Sequence, residues 1–115
     1  MSSVSHRLVV QRALAAVTST GRRVRITNLS SIAGVSERTL RNAFHDVYGI
    51  SPKQYFQRRG LEAARRGLTL ARGARGVVTT VATECGFFEL GRFSVAYRQR
   101  FGERPSDTAR RGDAR

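Results

Sequence analysis

The sequence predicts an all-α protein of about seven helices, in which two copies of one helical unit are joined by a long linker helix. Three observations predict it. A pattern occurs twice: Leu29, Gly34, Val35, Leu40, Phe44, Tyr48, Gly49 and Pro52 are answered by Val81, Gly86, Phe87, Phe93, Tyr97, Phe101, Gly102 and Pro105. Val81 and Gly86 stand 52 residues after Leu29 and Gly34, whereas Tyr97 and Pro105 stand 53 after Phe44 and Pro52, so the second turn carries one inserted residue. Each copy reads as a short helix closed by a glycine, a tight turn, and a longer amphipathic helix ended by an aromatic and a second glycine. Apolar residues then recur at helical spacing, Leu40, Phe44 and Val47 being the clearest set. This is the layout of a helix-turn-helix, present twice.

The elements follow in order. Leu8, Val9, Ala13, Leu14, Ala16 and Val17 form a stripe that predicts a first helix packed on the lobe behind it, and Thr18 to Arg25 is a polar, basic loop. Thr27 stands where an N-cap would accept backbone N–H bonds, and Thr79 repeats it two residues before Val81. Gly34 and Gly86 end the short helices, since glycine takes a left-handed C-terminal conformation without steric cost. Ser36 caps the next helix, which runs to about Tyr48 and leaves Glu37, Arg38, Arg41, Asn42 and His45 outside. Lobe one thus spans about 5–50.

Ser51 as cap and Pro52 at the first helical position start a long helix over about 52–70. Tyr55, Leu61, Ala64 and Leu68 give it an inner face, and Arg58, Arg59, Arg65 and Arg66 a basic outer one. Ala71 to Gly76 is a loop of small residues and arginine. Lobe two covers about 77–110, with a short last helix after Pro105, and 111–115 is expected to fray.

The chain has 115 residues with 21 Lys and Arg against 8 Asp and Glu, a formal charge of +13. That length suits one domain or two small lobes, and that charge favours a polyanion, either nucleic acid or an acidic membrane surface. A GC-rich genome favours arginine too, but would not generate the repeat. A single cysteine, Cys85, excludes an intramolecular disulfide framework and leaves too few sulfur ligands for a Cys-based zinc site. Two distant histidines do not suggest a metal site, and neither a P-loop nor a paired carboxylate set is present, so no cofactor and no catalysis are expected. No apolar run approaches the roughly 18 residues a membrane span needs. The acid-free first 36 residues weakly imitate a transit peptide. Cytosolic location is the expectation.

With these residues in place, the chain resembles the DNA-binding domain of AraC/XylS-type bacterial transcription regulators. The resemblance is carried by the run Val81 to Phe87, then Arg92-Phe93, then Tyr97 to Ser106, with Ser51 to Tyr55 and Leu61 to Arg65 matching the family's linker helix. It covers roughly residues 6–110. It implies two helix-turn-helix lobes joined by a rigid helix, binding double-stranded DNA as a monomer in successive major grooves, with RNA polymerase as a further partner. Larger members add a sensor or dimerisation domain, and the chain is either a small stand-alone member or the DNA-binding end of a longer regulator.

The positions that meet base edges in the family fall on Arg38, Arg41 and Asn42. Their chemistry agrees, because Arg bonds O6 and N7 of guanine and Asn pairs with N6 and N7 of adenine. His45, a turn further on, is a candidate phosphate contact. In the second lobe the corresponding positions are Leu90, Gly91, Arg92 and Val95, of which only Arg92 can contact a base in bidentate fashion. Val95 replaces an arginine frequent in the family, and Phe88 is expected at the cap position held by Ser36. Glu89 either accepts from a cytosine amino group or balances the helix dipole, and Leu90 either touches a thymine methyl or is plain surface. Thr79, Thr80, Arg98 and Arg100 are candidate phosphate partners. Gly60 and Gly67 replace the family's Arg and apolar residue inside the linker helix, which predicts a less stiff spine.

Two other classes stay open at this point. AraC-like lobes also occur in methyl-accepting DNA repair proteins, whose acceptor is cysteine, which makes Cys85 the residue to inspect. A basic architectural protein with little sequence choice is the other.

Overall fold

The computed structural model describes residues 3–20, 26–71 and 75–113, and these form seven α-helices with no strand among them. In order they are α1 (Ser3–Thr20), α2 (Ile26–Ala33), α3 (Glu37–Tyr48), α4 (Pro52–Leu70), α5 (Val77–Glu84), α6 (Leu90–Phe101) and α7 (Pro105–Asp113). The chain divides into two compact units, Met1–Gln57 and Arg58–Arg115, and the division falls inside α4.

In the first unit, Val9, Val10 and Ala13 of α1 meet Leu29 and Ala33 of α2 and Leu40, Ala43 and Phe44 of α3 in one core. The stripe of α1 is rotated slightly from the expected one: Val10 is buried and Leu8 is 47% exposed. The first helix also continues through Thr20, beyond the loop start predicted at Thr18, and the rest of that loop, 21–25, lies outside the described residues. Arg12 of α1 donates from Nη1 to the Ala33 carbonyl at 3.3 Å, satisfying one of the carbonyls that a helix end leaves unpaired. The N-terminal part of α4 closes this unit with aromatic rings. Phe44 has Tyr48, Tyr55 and Phe56 at centroid distances of 5.9, 5.6 and 5.7 Å, and Tyr48 stacks on Tyr55 at 4.4 Å.

In the second unit, Leu61, Ala64 and Leu68 of α4 pack with Val81, Ala82, Phe93, Tyr97 and Ala109. One polar chain runs through it. The buried Tyr97 hydroxyl donates to Thr108 Oγ1 at 2.7 Å, the Thr108 hydroxyl donates to Glu103, and Arg111 grips both Glu103 oxygens at 2.8 Å. Burial pushes the Tyr97 phenol above its ordinary pKa, so it stays a donor. The grip on Arg111 is also why α7 runs to Asp113, past the point where the sequence predicts fraying; residues 114 and 115 lie outside the described residues. At the other end of α7, Asp107 accepts from the Arg104 backbone N–H at 3.1 Å, and that bond, followed by one from the Arg104 side chain, holds its carboxyl below the usual range.

The repeat is visible in backbone hydrogen bonds. At the end of α2, Gly34 N–H donates to Ser31 and Val35 N–H to Ser30; at the end of α5, Gly86 N–H donates to Thr83 and Phe87 N–H to Ala82. Both are Schellman closures, which need a left-handed residue, and Gly34 and Gly86 supply it at φ of 74° and 92°. The predicted threonine caps are different. The second helix begins at Ile26 and α5 at Val77, so Thr27 and Thr79 lie inside their helices, and the N-cap of α5 is Gly76. A threonine marks the first turn of a helix as readily as its cap.

Gly60 and Gly67 also differ from the expectation. Both sit where α4 passes close to its neighbours: a Cβ on Gly60 would lie 2.9 Å from the Phe87 ring and 3.3 Å from the Cys85 carbonyl, and one on Gly67 3.1 Å from Val81. At both positions the packing leaves little room for a side chain. Gly60→Ala gains about 1 kcal/mol of helix propensity but incurs overpacking of roughly 1 to 3 kcal/mol. The expected result is a net loss of stability, read by urea unfolding; a variant more stable than the parent would show that Phe87 yields freely.

Candidate nucleic-acid interface

The third helix is built to expose one polar face on a fixed support. Ser36 Oγ accepts from the Thr39 backbone N–H at 3.1 Å, Glu37 places an acid in the first turn, and Gly49 ends the helix with its N–H on the His45 carbonyl at 2.9 Å. Leu40, Ala43 and Phe44 are fully buried. At about 100° per residue, Arg38, Asn42 and His45 lie opposite that buried stripe, with Arg41 on its flank, and all four are exposed. No carboxylate is paired with Arg38 or Arg41 among the described residues. Toward the end of the helix, Asp46 accepts from His6 of α1 at 3.0 Å. The sequence-predicted readers of lobe one are therefore together, outward and available.

The sixth helix is similarly supported by buried Phe93 and Tyr97 but dressed differently. Its N-cap residue is Glu89, which corrects the expected alignment: Glu89, not Phe88, stands where Ser36 stands in the first unit, and Phe88 is the inserted residue. Glu89 makes no side-chain bond to the helix backbone and pairs with Arg92 at 2.9 Å, both side chains well exposed. An exposed pair of this kind is worth only about 0 to 1 kcal/mol, so a base or a phosphate can take Arg92 from it. Counting from the true cap, Gly91 matches Arg38, Ser94 matches Arg41, Val95 matches Asn42 and Arg98 matches His45. Leu90 opens the helix, partly exposed, and Gly91, Val95, Arg98 and Gln99 make the outward face. Sequence reasoning missed Ser94 and Gln99; the corrected cap reveals the first, and its spacing from Val95 would have shown the second.

The phosphate candidates separate. Arg98 lies on the exposed face with no carboxylate partner among the described residues. Arg100 turns to α4, where its Nη2 meets Glu62 at 3.0 Å. Thr79 and Thr80 are exposed in the first turns of α5, and Thr80 Oγ1 donates back to the Gly76 carbonyl at 3.3 Å. Gly76, the N-cap of α5, makes no side-chain bond to the helix, and the positive end of the helix dipole lies at this terminus.

Cys85 is half-buried at the C-terminal end of α5. Burial, and then Glu84 beside it, push its thiol above the ordinary pKa, the opposite of what an attacking thiolate requires. No described helix is long and apolar enough to cross a membrane.

Comparison with known proteins agrees with this fold. A family model described as a helix-turn-helix domain matches residues 29–111. A XylDLEGF operon transcriptional activator of Pseudomonas putida is 39% identical over 89 residues, which are 77% of this chain and 28% of that protein. The crystal structure of a probable AraC family transcriptional regulator from Rhodopseudomonas palustris superposes with a TM-score of 0.77 at 32% identity, covering 90% of this chain and 96% of that one. The chain belongs to the AraC family. A second AraC-type structure, from Chromobacterium violaceum, shares the fold at a TM-score of 0.75 and 23% identity. The AraC-type chain spans between about a quarter and about half of the length of the curated relatives it matches.

Proposed function

We propose that this AraC-type chain binds double-stranded DNA sequence-specifically as a transcription regulator, with α3 in one major groove and α6 in the next. The observation that carries the reading is the exposed face Arg38, Arg41, Asn42 and His45 on a helix whose opposite face is fully buried, in a chain of charge +13. Arg38, Arg41 and Asn42 read base edges from the first lobe. Arg92 reads from the second, with Glu89 released from it to a cytosine amino group or kept as dipole partner, and Leu90 at the helix start. Arg98, His45, Thr79, Thr80 and, once freed from Glu62, Arg100 hold phosphates and set register. The chain acts as a monomer on DNA in the bacterial cytoplasm. Its relatives' role as transcriptional activators makes RNA polymerase the fitting protein partner, and their greater length leaves room for a sensor domain outside this sequence.

Selection of bound sites from a random duplex library is the test. Recovery of two boxes about one helical turn apart supports bipartite reading, and no enrichment would instead support an architectural role. With roughly 6 to 8 phosphates neutralised, log affinity for the recovered site is expected to fall with log salt at a slope of about 5 to 7. A slope near 2 would overturn the two-lobe docking.

A further inference from the structure

The second recognition helix presents apolar surface where the first presents hydrogen-bonding groups. Three exposed apolar side chains mark it: Phe88, just before the cap, is 76% exposed, Leu90 at the helix start 39%, and Val95 in mid-helix 60%. Phe88 is the residue inserted in the second turn, one position before the cap. Val95 stands where α3 carries Asn42, and Gly91 where it carries Arg38. A Cβ placed on Gly91 would meet nothing within 4 Å, so the backbone of α6 is bare on its outward side. None of the three apolar residues joins the core that Phe93 and Tyr97 form.

Exposed apolar side chains of this size gain free energy only when something covers them. Their surroundings say what does. Arg92 and Arg98 share the same helix, and the first turns of α5 add Thr79, Thr80 and an uncapped, positive helix end. A protein partner with an apolar face is a poor match for that collar, whereas the phosphates of a duplex fit it. On the floor of a major groove one chemical group is apolar, the C5-methyl of thymine. A valine side chain is short and reaches that floor only if the helix lies close, and the missing side chain at Gly91 permits the approach.

We infer that the second lobe reads thymine methyl groups, through Val95 on the outward face with Leu90 and Phe88 at the helix start, so that its box is specified by apolar contact instead of hydrogen bonds. The inference rests on the DNA-binding reading above. It predicts a recovered operator whose two boxes differ in kind: a guanine- and adenine-directed box under α3 and a thymine-containing box under α6. Within the second box, specificity is shallow, because a covered methyl distinguishes thymine from the other bases by burial alone.

The test uses the duplex recovered by selection, with each thymine replaced singly by deoxyuridine, a change that removes one methyl and leaves pairing intact. At least one replacement in the second box is expected to weaken binding by about 4-fold, the factor given by burying one methyl-sized group. Val95→Ala is expected to bring the thymine and uracil duplexes to equal affinity, with Leu90→Ala and Phe88→Ala reducing the difference. Arg38→Ala should weaken binding while keeping the difference, since it belongs to the other box. These side chains are exposed, so the variants are expected to keep wild-type circular dichroism, and the uracil series on the unaltered protein needs no variant. Selective binding with no methyl dependence in the second box would overturn this inference and leave the DNA reading standing. Methyl dependence unchanged in all three apolar variants would also overturn it, by assigning the contact to another residue. Absence of selective binding by the unaltered protein would overturn the DNA reading itself.

Discussion

Phe44→Ala is expected to unfold the first unit, with a loss of about 3 to 5 kcal/mol. The ring is fully buried and is the centre of the aromatic group, with Tyr48, Tyr55 and Phe56 all within 5.9 Å of its centroid. Removing it empties the space between α3 and the start of α4, and the remaining core of the unit is made of Val, Leu and Ala, whose side chains are too small to collapse into it. A unit of this size has only a few kcal/mol to lose. The second unit has its own core of Leu61, Leu68, Val81, Phe93 and Tyr97, which the change does not touch. Thermal unfolding followed by circular dichroism should therefore show an early transition in the variant, with part of the helical signal surviving to the parent's melting temperature. Loss of the whole signal in one lowered transition would mean that α4 couples the two units into a single cooperative fold. An unchanged melt would remove Phe44 from the centre of the core.

Arg38→Ala and Asn42→Ala are expected to erase base preference in one box only. A good bidentate contact discriminates by about 1 to 3 kcal/mol, so each variant should lose roughly 5- to 150-fold in preference at a single base pair. Neither residue is needed for folding, since both are exposed on a helix capped by Ser36 and Gly49. The change should leave affinity for random duplex nearly constant and the salt slope nearly unaltered. Arg98→Ala is the contrasting case. A phosphate contact carries no sequence information, so that variant should weaken all sequences alike and lower the salt slope by about 1. Competition binding against the selected site and single-base variants, repeated at several salt concentrations, separates the two behaviours. Equal losses on selected and random duplex for Arg38→Ala would move Arg38 from the readers to the phosphate clamps.

The proposed division of labour between the lobes follows from what each recognition helix carries. The third has Arg38, Arg41 and Asn42, whose planar ends match base edges. The sixth has Gly91 and Val95 at the positions of Arg38 and Asn42, and carries its arginines at Arg92, Arg98 and Arg100. One exposed hydrogen-bonding face and one exposed apolar face on the same repeated scaffold would let a single chain read two chemically different boxes.

Interactions that act within a few residues are legible in the order of the amino acids. The Schellman glycines, the serine caps at Ser36 and Ser51, Pro52 at a first helical position and the buried stripe of α3 all depend on neighbours along the chain, and so each is legible. The repeat then fixes the order of the elements, because one pattern must fold the same way twice. The outward placement of Arg38, Arg41 and Asn42 came from the same source, a helix period read against its apolar residues. Tertiary structure alone decided the rest. That Arg100 faces Glu62 depended on where α4 passes. Gly60 and Gly67 look like weak points along the chain and are close approaches in space, and α7 keeps its last turn because Arg111 reaches back to Glu103. Such contacts join residues that no short-range period connects; their energy is set by distance in the folded chain, and distance is what the order of residues does not carry.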